Sequence, residues 1–399
     1  MNFKKQSKNQ YTLLCSGPMS KNCIDASLNI SKELNIPQVL IASRRQIDSA
    51  EFGGGYVAQF DTETFSRYVK DQNVTNVFLA RDHGGPWQSE VEQKSNLNLS
   101  ESMASAKRSF EADIDAGFDF IHIDPSIPIQ NEDLTFNKIL ERLFELYEHC
   151  YNYAQKTKKN IQFELGTEEQ NGYAQNLDEF ECFLNETEKF CKKNSIIKPT
   201  FVVAQTGTKV METRNVGVFD NGDYKAQLHC IQHIKDSIQI CNRYGIWLKE
   251  HNTDYLSNEA LSLRPSLGVH ASNVAPEFGV VETRGLLYLM EKFGFEDELN
   301  TFSQVALDSN KWNKWMLPET QATDLDKVSI CGHYVFSDPQ IIEIQQKLTF
   351  ALRKYNIDLN AFLINLVKQS MMRYVQLFNM KPVSRGANNV FNCDRKALG

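Results

Sequence analysis

The stretch Asn76-Val-Phe-Leu-Ala-Arg-Asp-His83 is an apolar run that ends in two residues able to bind metal or move a proton. A strand buried on both faces is apolar on both faces, so it reads as a continuous run and not as an alternation. Working outward, seven more runs share this character: Tyr11–Gly17, Gln38–Arg44, Phe120–Ser126, Ile161–Glu168, Thr200–Gly207, Gly245–Thr253 and Ser266–Ser272. Helix-like sequence separates them. This succession predicts an α/β fold, a (β/α)8 TIM barrel, in which chemistry sits at the C-terminal ends of the strands.

The crossover helices are legible. Asp61-Thr62-Glu63 supplies a cap and a first-turn acid, and Gly117 stops the helix that begins near Ser100. Asn131–Lys158 carries Ile139, Leu143, Leu146 and Tyr147 at helical spacing. Leu177–Lys193 and Lys225–Tyr244 repeat the pattern. From about Gly294 helices dominate: Glu296–Leu307, Asp338–Lys354 and Asn360–Asn379. The expected division is a barrel over residues 1–295 and a helical C-terminal extension over 296–399, packed on the barrel because its apolar faces need a partner.

The chain has 399 residues, 41% of them hydrophobic, with a formal net charge of -7. That balance gives no basic surface for nucleic acid or anionic membrane. No apolar run reaches the ~18 residues of a membrane helix, and the basic start lacks the apolar core of a signal peptide. Nine cysteines, an odd number, lie scattered without a CxxC pair, which is how a reduced cytoplasmic protein uses cysteine. Homo-oligomerisation is compatible with these features.

The strand ends carry the candidate chemistry. His83, His251 and His270 close the third, seventh and eighth runs. Three neutral imidazoles from different strands with an open fourth position describe a catalytic zinc site; taken singly, each is as readily a satisfied structural histidine. Asp82 beside His83 is either a proton-transfer group or a cap. Glu164 and Glu168 share strand parity and face the barrel axis, to complete a metal shell, act as a base, or pair with Lys249 or Arg81. His122 and Asp124 also share parity and line the barrel, His122 either as a site residue or as a buried hydrogen-bonded one. Lys249 either neutralises a carboxylate, binds phosphate or forms a Schiff base. Arg44, Arg45 and the run Gly53-Gly54-Gly55 are candidates for an anion.

These motifs resemble the tagatose-1,6-bisphosphate aldolase accessory-subunit (Z-subunit) family. The matches are Glu51-Phe-Gly-Gly-Gly-Tyr56, Arg81-Asp-His-Gly-Gly-Pro86, His122-Ile-Asp-Pro-Ser126, Gly166-Thr-Glu168, Val202 through Gly207, and Glu250-His-Asn-Thr-Asp-Tyr255. They run in family order over most of residues 11 to 290. The resemblance implies a barrel, ketose-phosphate metabolism, and support of a separate class II aldolase chain. It also implies kinship with ketose 4-epimerases and with class II aldolases, whose metal and acid–base residues Asp82, His83, His251 and His270 resemble. The chain departs from the accessory pattern at Gly268-Val-His270-Ala271, at Glu169-Gln-Asn-Gly172 and at Ala42-Ser-Arg-Arg45.

The expectation is therefore a divalent-metal enzyme acting on a ketose or ketose phosphate by retro-aldol cleavage or C4 epimerisation. Its metal would be zinc, or else Mn, Co or Ni, on His83, His251, His270 and Glu164. Asp82, Asp124 and Glu168 would serve as catalytic groups, and Arg44, Arg45, Lys249, Asp254 and Gln205 as substrate or phosphate contacts. The alternative is a non-catalytic subunit that stabilises an aldolase partner.

Overall fold

The computed structural model describes residues 11–167 and 173–383. Eight strands close a parallel barrel: β1 (Leu13–Ser16), β2 (Gln38–Ser43), β3 (Val77–Gly84), β4 (Phe120–Ile123), β5 (Gln162–Leu165), β6 (Phe201–Ala204), β7 (Trp247–Glu250) and β8 (Ala271–Val274). Each pairs with its sequence neighbours, and β1 closes the ring on β8 with Leu13 opposite Ala271. Most strand residues are buried, as strands lined inside and covered outside must be.

Helices α1 (Lys21–Leu34), α2 (Thr62–Asp71), α3 (Leu99–Ala116), α4 (Phe136–Thr157), α5 (Leu177–Asn194), α6 (Tyr224–Tyr244), α7 (Asn258–Leu267) and α8 (Pro276–Lys292) follow the strands in turn. Their starts are chemically marked. Ser20 accepts from the Cys23 amide, and capping boxes pair Asp61 with Thr64 and Asn98 with Glu101. Among the described residues no helix is long and apolar enough to cross a membrane.

Beyond the barrel lie α9 (Glu296–Asp308), α10 (Asp324–Cys331), α11 (Pro339–Leu352) and α12 (Leu359–Leu377). Phe302, Ile341, Leu348 and Leu352 form a second core with Leu286 and Met290 of α8. The last helix returns to the barrel, where Met371, Tyr374 and Phe378 join the main core and the Phe378 carbonyl accepts from the Thr12 amide at the foot. At the opposite end the extension reaches the barrel mouth. The Trp315 carbonyl accepts from the Glu212 amide, and Ser337 Oγ donates to the Tyr56 carbonyl.

Candidate metal centre at the barrel mouth

Four strands deliver one ligand each to a common point. Asp82 from β3, His122 from β4, Glu164 from β5 and His251 just past β7 place ligand atoms within 4.8 Å of one another, all buried. A metal bound at about 2.1 Å sets neighbouring tetrahedral ligands roughly 3.4 Å apart. Four separations in the structure sit near that edge. His251 Nε2 lies 3.2 Å from Glu164 Oε1 and 3.9 Å from Asp82 Oδ1; His122 Nδ1 lies 3.6 Å from Asp82 Oδ1 and 3.7 Å from Glu164 Oε1. The cluster can hold a metal ion. His122 Nδ1 accepts from the His83 amide at 3.1 Å, a bond it would give up to ligate, and among the described residues the buried His122 Nε2 and Asn273 Oδ1 have no hydrogen-bond partner.

His83 faces the same cavity although it is adjacent to Asp82. Neighbouring strand residues normally point to opposite faces. Here the β3–β4 register shifts between Arg81 and Gly84, and His83 adopts a left-handed backbone with φ of 44°. That bulge turns both side chains inward. His83 Nδ1 is 2.6 Å from Asp124 Oδ2, and its Nε2 is 3.2 Å from His251 Nδ1. His83 therefore stands one ring away from the tetrad, with its side chain partly open to the cavity. Asp124 also accepts from Gln88 at 3.1 Å and from Ser126 at 2.5 Å, which fixes the carboxylate that orients the imidazole.

Electrostatics follow from this crowding. Burial works against the charged carboxyl of Asp82, yet the imidazoles of His83, His122 and His251 hold it well below the usual range. Glu164 is likewise held down to about 2, burial being outweighed by Lys249 and His122. Asp124 is held down to about 2 against burial by the His83 hydrogen bond. Burial pushes His251 down to about 4, so it stays neutral and able to ligate.

Several expected roles move. His270 leaves the metal set. The eighth strand begins at Ala271, not Ser266, because α7 runs to Leu267 and ends on Gly268 in the left-handed region. His270 thus falls at the foot of the barrel, where its ring stacks on Trp247 at 5.1 Å and its Nδ1 accepts from the Leu248 amide at 3.2 Å. Arg44 is not a phosphate contact, since its fully buried guanidinium is spent on Asp48 at 2.8 Å, Glu92 at 2.5 Å and the Gly85 carbonyl. Lys249 is buried inside the barrel and bound to Glu164 at 2.6 Å, so it neutralises a carboxylate. Asp254 lines the mouth and caps α8 through the Ala275 and Glu277 amides; burial beside Glu277 pushes it up to about 7. Gln205, just past β6, donates its backbone amide to Gln175 Oε1 and is not among the residues that line the mouth cavity. Glu168 lies outside the described residues.

Four residues enter that the sequence did not assign to the site. His122 was visible through its parity with Asp124. Asn273 emerges once β8 is correctly placed, and its Nδ2 donates to Asp82 Oδ1 at 3.1 Å. Lys311 and Lys314 come from the extension and line a mouth cavity of about 520 Å³ with Arg45, Tyr56 and Tyr334. That size is ordinary for a small-molecule site.

A family model described as D-tagatose-1,6-bisphosphate aldolase subunit GatZ/KbaZ-like matches residues 2–279. The chain belongs to this GatZ/KbaZ-like family. The family match spans every residue of the tetrad and ends within α8, so the extension lies outside it. No curated protein matches the chain. Among solved structures, it is similar to a probable tagatose 6 phosphate kinase from Sinorhizobium meliloti 1021, at 16% identity and a TM-score of 0.73, over 92% of this chain and 100% of that one. It is similar also to a fructuronate-tagaturonate epimerase from Cohnella laeviribosi, at 12% identity and a TM-score of 0.58, over 94% of this chain and 82% of that one. A fructose-bisphosphate aldolase from Campylobacter jejuni aligns at 12% identity with a TM-score of 0.51, over 96% and 93% of the two chains. At these identities the likeness is one of fold.

Proposed function

We propose that this GatZ/KbaZ-like chain is a divalent-metal-dependent carbohydrate enzyme that acts on a ketose or ketose phosphate by retro-aldol cleavage or C4 epimerisation. The observation that supports it is the buried tetrad Asp82, His122, Glu164 and His251, at the strand ends below a mouth cavity. Two imidazoles and two carboxylates suit zinc, with Mn, Co or Ni as further candidates. When bound, such a metal polarises a carbonyl and stabilises the oxyanion that either reaction develops. Lys249 holds the far oxygen of Glu164, and Asn273 holds Asp82, so both carboxylates are pre-oriented. His83 is the proton-moving group, because it faces the cavity while Asp124 fixes its ring through Nδ1. Family membership and the aldolase and epimerase among proteins of the same fold are consistent with ketose chemistry.

The test is metal analysis of the purified chain by mass spectrometry, followed by a screen of ketoses and ketose phosphates. The expected result is about one divalent ion per chain and turnover of at least one ketose. Asp124→Asn should keep the metal and lower kcat by about 10²–10⁴, the usual worth of a positioned acid–base group. A second reading is favoured by the family description, which is that of an aldolase subunit. A chain that binds no metal, turns over no ketose, and raises the activity or lifetime of a separate class II aldolase chain would establish that accessory role instead.

A further inference from the structure

Arg45 and Lys314 stand apart from the other cations of the mouth. Lys249 is bound to Glu164, and Lys311 is paired with Glu90. Among the described residues neither Arg45 nor Lys314 has a carboxylate within ion-pair distance, and both line the cavity whose floor holds the tetrad. Arg45 follows β2 and is half-buried; Lys314 comes from the turn after α9 and is solvent-accessible within the cleft. The Lys314 ammonium lies 5.0 Å from the Trp315 ring centre and 5.1 Å from that of Tyr334. Tyr334 is braced by Tyr56 at 4.7 Å edge-on and by the Trp315 indole N–H at 3.2 Å. The ammonium is thus steered by aromatic faces toward the cavity and not by an acid away from it.

The geometry points to a phosphate-binding subsite at the mouth, built by Arg45 from the barrel and Lys314 from the C-terminal extension, that grips the terminal phosphate of the substrate. The identity of the sugar rests on the ketose reading above; the anion site rests on these residues alone. Two uncompensated cations match a phosphate monoester, which carries about −1.5 to −2 at neutral pH, better than a single carboxylate. Arginine offers a planar fork to two phosphate oxygens and lysine a point charge, a division of labour suited to a tetrahedral dianion. Partial desolvation in the cleft and the neighbouring Arg45 and Lys311 charges lower the pKa of Lys314, so an arriving anion finds a lysine whose charge it stabilises. The floor is anionic and would take a dication, while the rim is cationic. A ketose phosphate fits that polarity end to end, with its oxygen functions toward the floor and its phosphate at the rim. The arrangement also gives the extension a task, because the substrate site is incomplete without it.

The test uses the full-length protein stripped of metal by a chelator. Inorganic phosphate is titrated at an ionic strength held constant with chloride, and thermal unfolding is followed. Ligand that binds the folded state raises the midpoint with concentration. Phosphate should stabilise the wild type saturably. Arg45→Met and Lys314→Met should each weaken the response at least about tenfold, the loss of one charge-assisted contact. Lys314→Arg should retain most of it, which separates lost charge from misfolding, and His251→Ala should respond as the wild type does. Equal responses from wild type and both Met variants, or acetate acting as strongly as phosphate, would overturn the subsite. If the metal analysis and ketose screen fail while the phosphate response persists and depends on Arg45 and Lys314, the subsite stands and the enzymatic reading falls.

Discussion

Two sets of buried charges occupy this barrel, and they are compensated differently. In the shell between strands and helices, each arginine is closed off. Arg81 grips Asp113 with two bonds of 2.7 and 2.5 Å and fills its remaining donors with the Ala42 and Ile47 carbonyls and Thr62 Oγ1. Arg264 is held by Glu250 at 2.8 Å and by the Ala260 carbonyl, and Arg44 by Asp48 and Glu92. At the mouth the count does not close. Asp82, Asp124 and Glu164 are ionised against Lys249 and a group of imidazoles, of which His251 is neutral. Burying charge is costly unless it is paired. The shell meets that cost within the chain. On the cavity floor Asp82, Asp124 and Glu164 share one ammonium, that of Lys249, with the imidazoles of His83, His122 and His251, an anionic set that a divalent cation would complete.

The comparison breaks most sharply at His251. We expect His251→Ala to lose its bound metal and to fall to background turnover while keeping the wild-type fold. In the wild type, chelator should lower the thermal midpoint, since the metal binds the folded state; in the variant, chelator should change nothing. Metal content that survives the substitution would take His251 out of the tetrad. The shell should answer in the opposite way. Arg81→Met strands the buried Asp113 and should cost about 3–5 kcal/mol in a urea titration, with metal content unchanged. The double variant Arg81→Met/Asp113→Leu should recover much of that loss, because an apolar pair of similar volume replaces the ions. A single variant within ~1 kcal/mol of wild type would show that the shell pair is not held as the geometry indicates.

A smaller effect distinguishes a third kind of buried charge. Among the described residues Glu282 on α8 has no cation within ion-pair distance; it accepts from Ser20 and, at 2.8 Å, from Asn22, and burial pushes its carboxyl up to about 7. A folded-state pKa above the unfolded value means that the folded chain holds the proton longer. Stability from this group is complete below about pH 4.5 and is lost as pH rises toward 7. A shift of this size is worth on the order of 3 kcal/mol. Glu282→Gln should therefore gain stability above pH 7 and flatten the decline between pH 5 and 8, read from urea midpoints across that range. Parallel pH profiles for variant and wild type would mean that Glu282 is ionised in the folded chain at little cost.

Much of this was legible in the sequence. Parallel strands covered on both faces leave continuous apolar runs, so the barrel and its chemistry-bearing mouth could be read from Val77–Gly84 and its counterparts. Strand parity brought Glu164, Lys249 and His251 to one face, and His122 with Asp124. What parity cannot show is a bulge. Asp82 and His83 share the mouth through the positive φ of His83 and a register shift in the pairing of β3 with β4. The extension looked like packing alone because amphipathic helices account for its composition, whereas Lys314 sits in a turn with no periodicity to read. The eighth run failed for a local reason. Ser266-Leu-Gly-Val is apolar enough to pass for strand, but Gly268 at φ of 91° ends a helix there.

That error supplies the smallest prediction, which is also the cleanest control for the largest. His251 and His270 both follow apolar runs and both have pKa values pushed down to about 4 by burial, so titration would not separate them. Position does. His251 meets Glu164 and His83 at the mouth; His270 stacks on Trp247, the first residue of β7, and takes the Leu248 amide at the foot. His270→Asn keeps a short acceptor for that amide and removes the ring. The expected loss is about 1 kcal/mol, the worth of an aromatic stacking contact. Metal content, phosphate binding and turnover should match the wild type. A His270→Asn protein that loses metal at unchanged stability would return this histidine to the mouth and move the start of β8 back along the chain. One that loses only stability leaves the two histidines as the structure has them, alike in sequence and in burial but with different neighbours at opposite ends of the barrel.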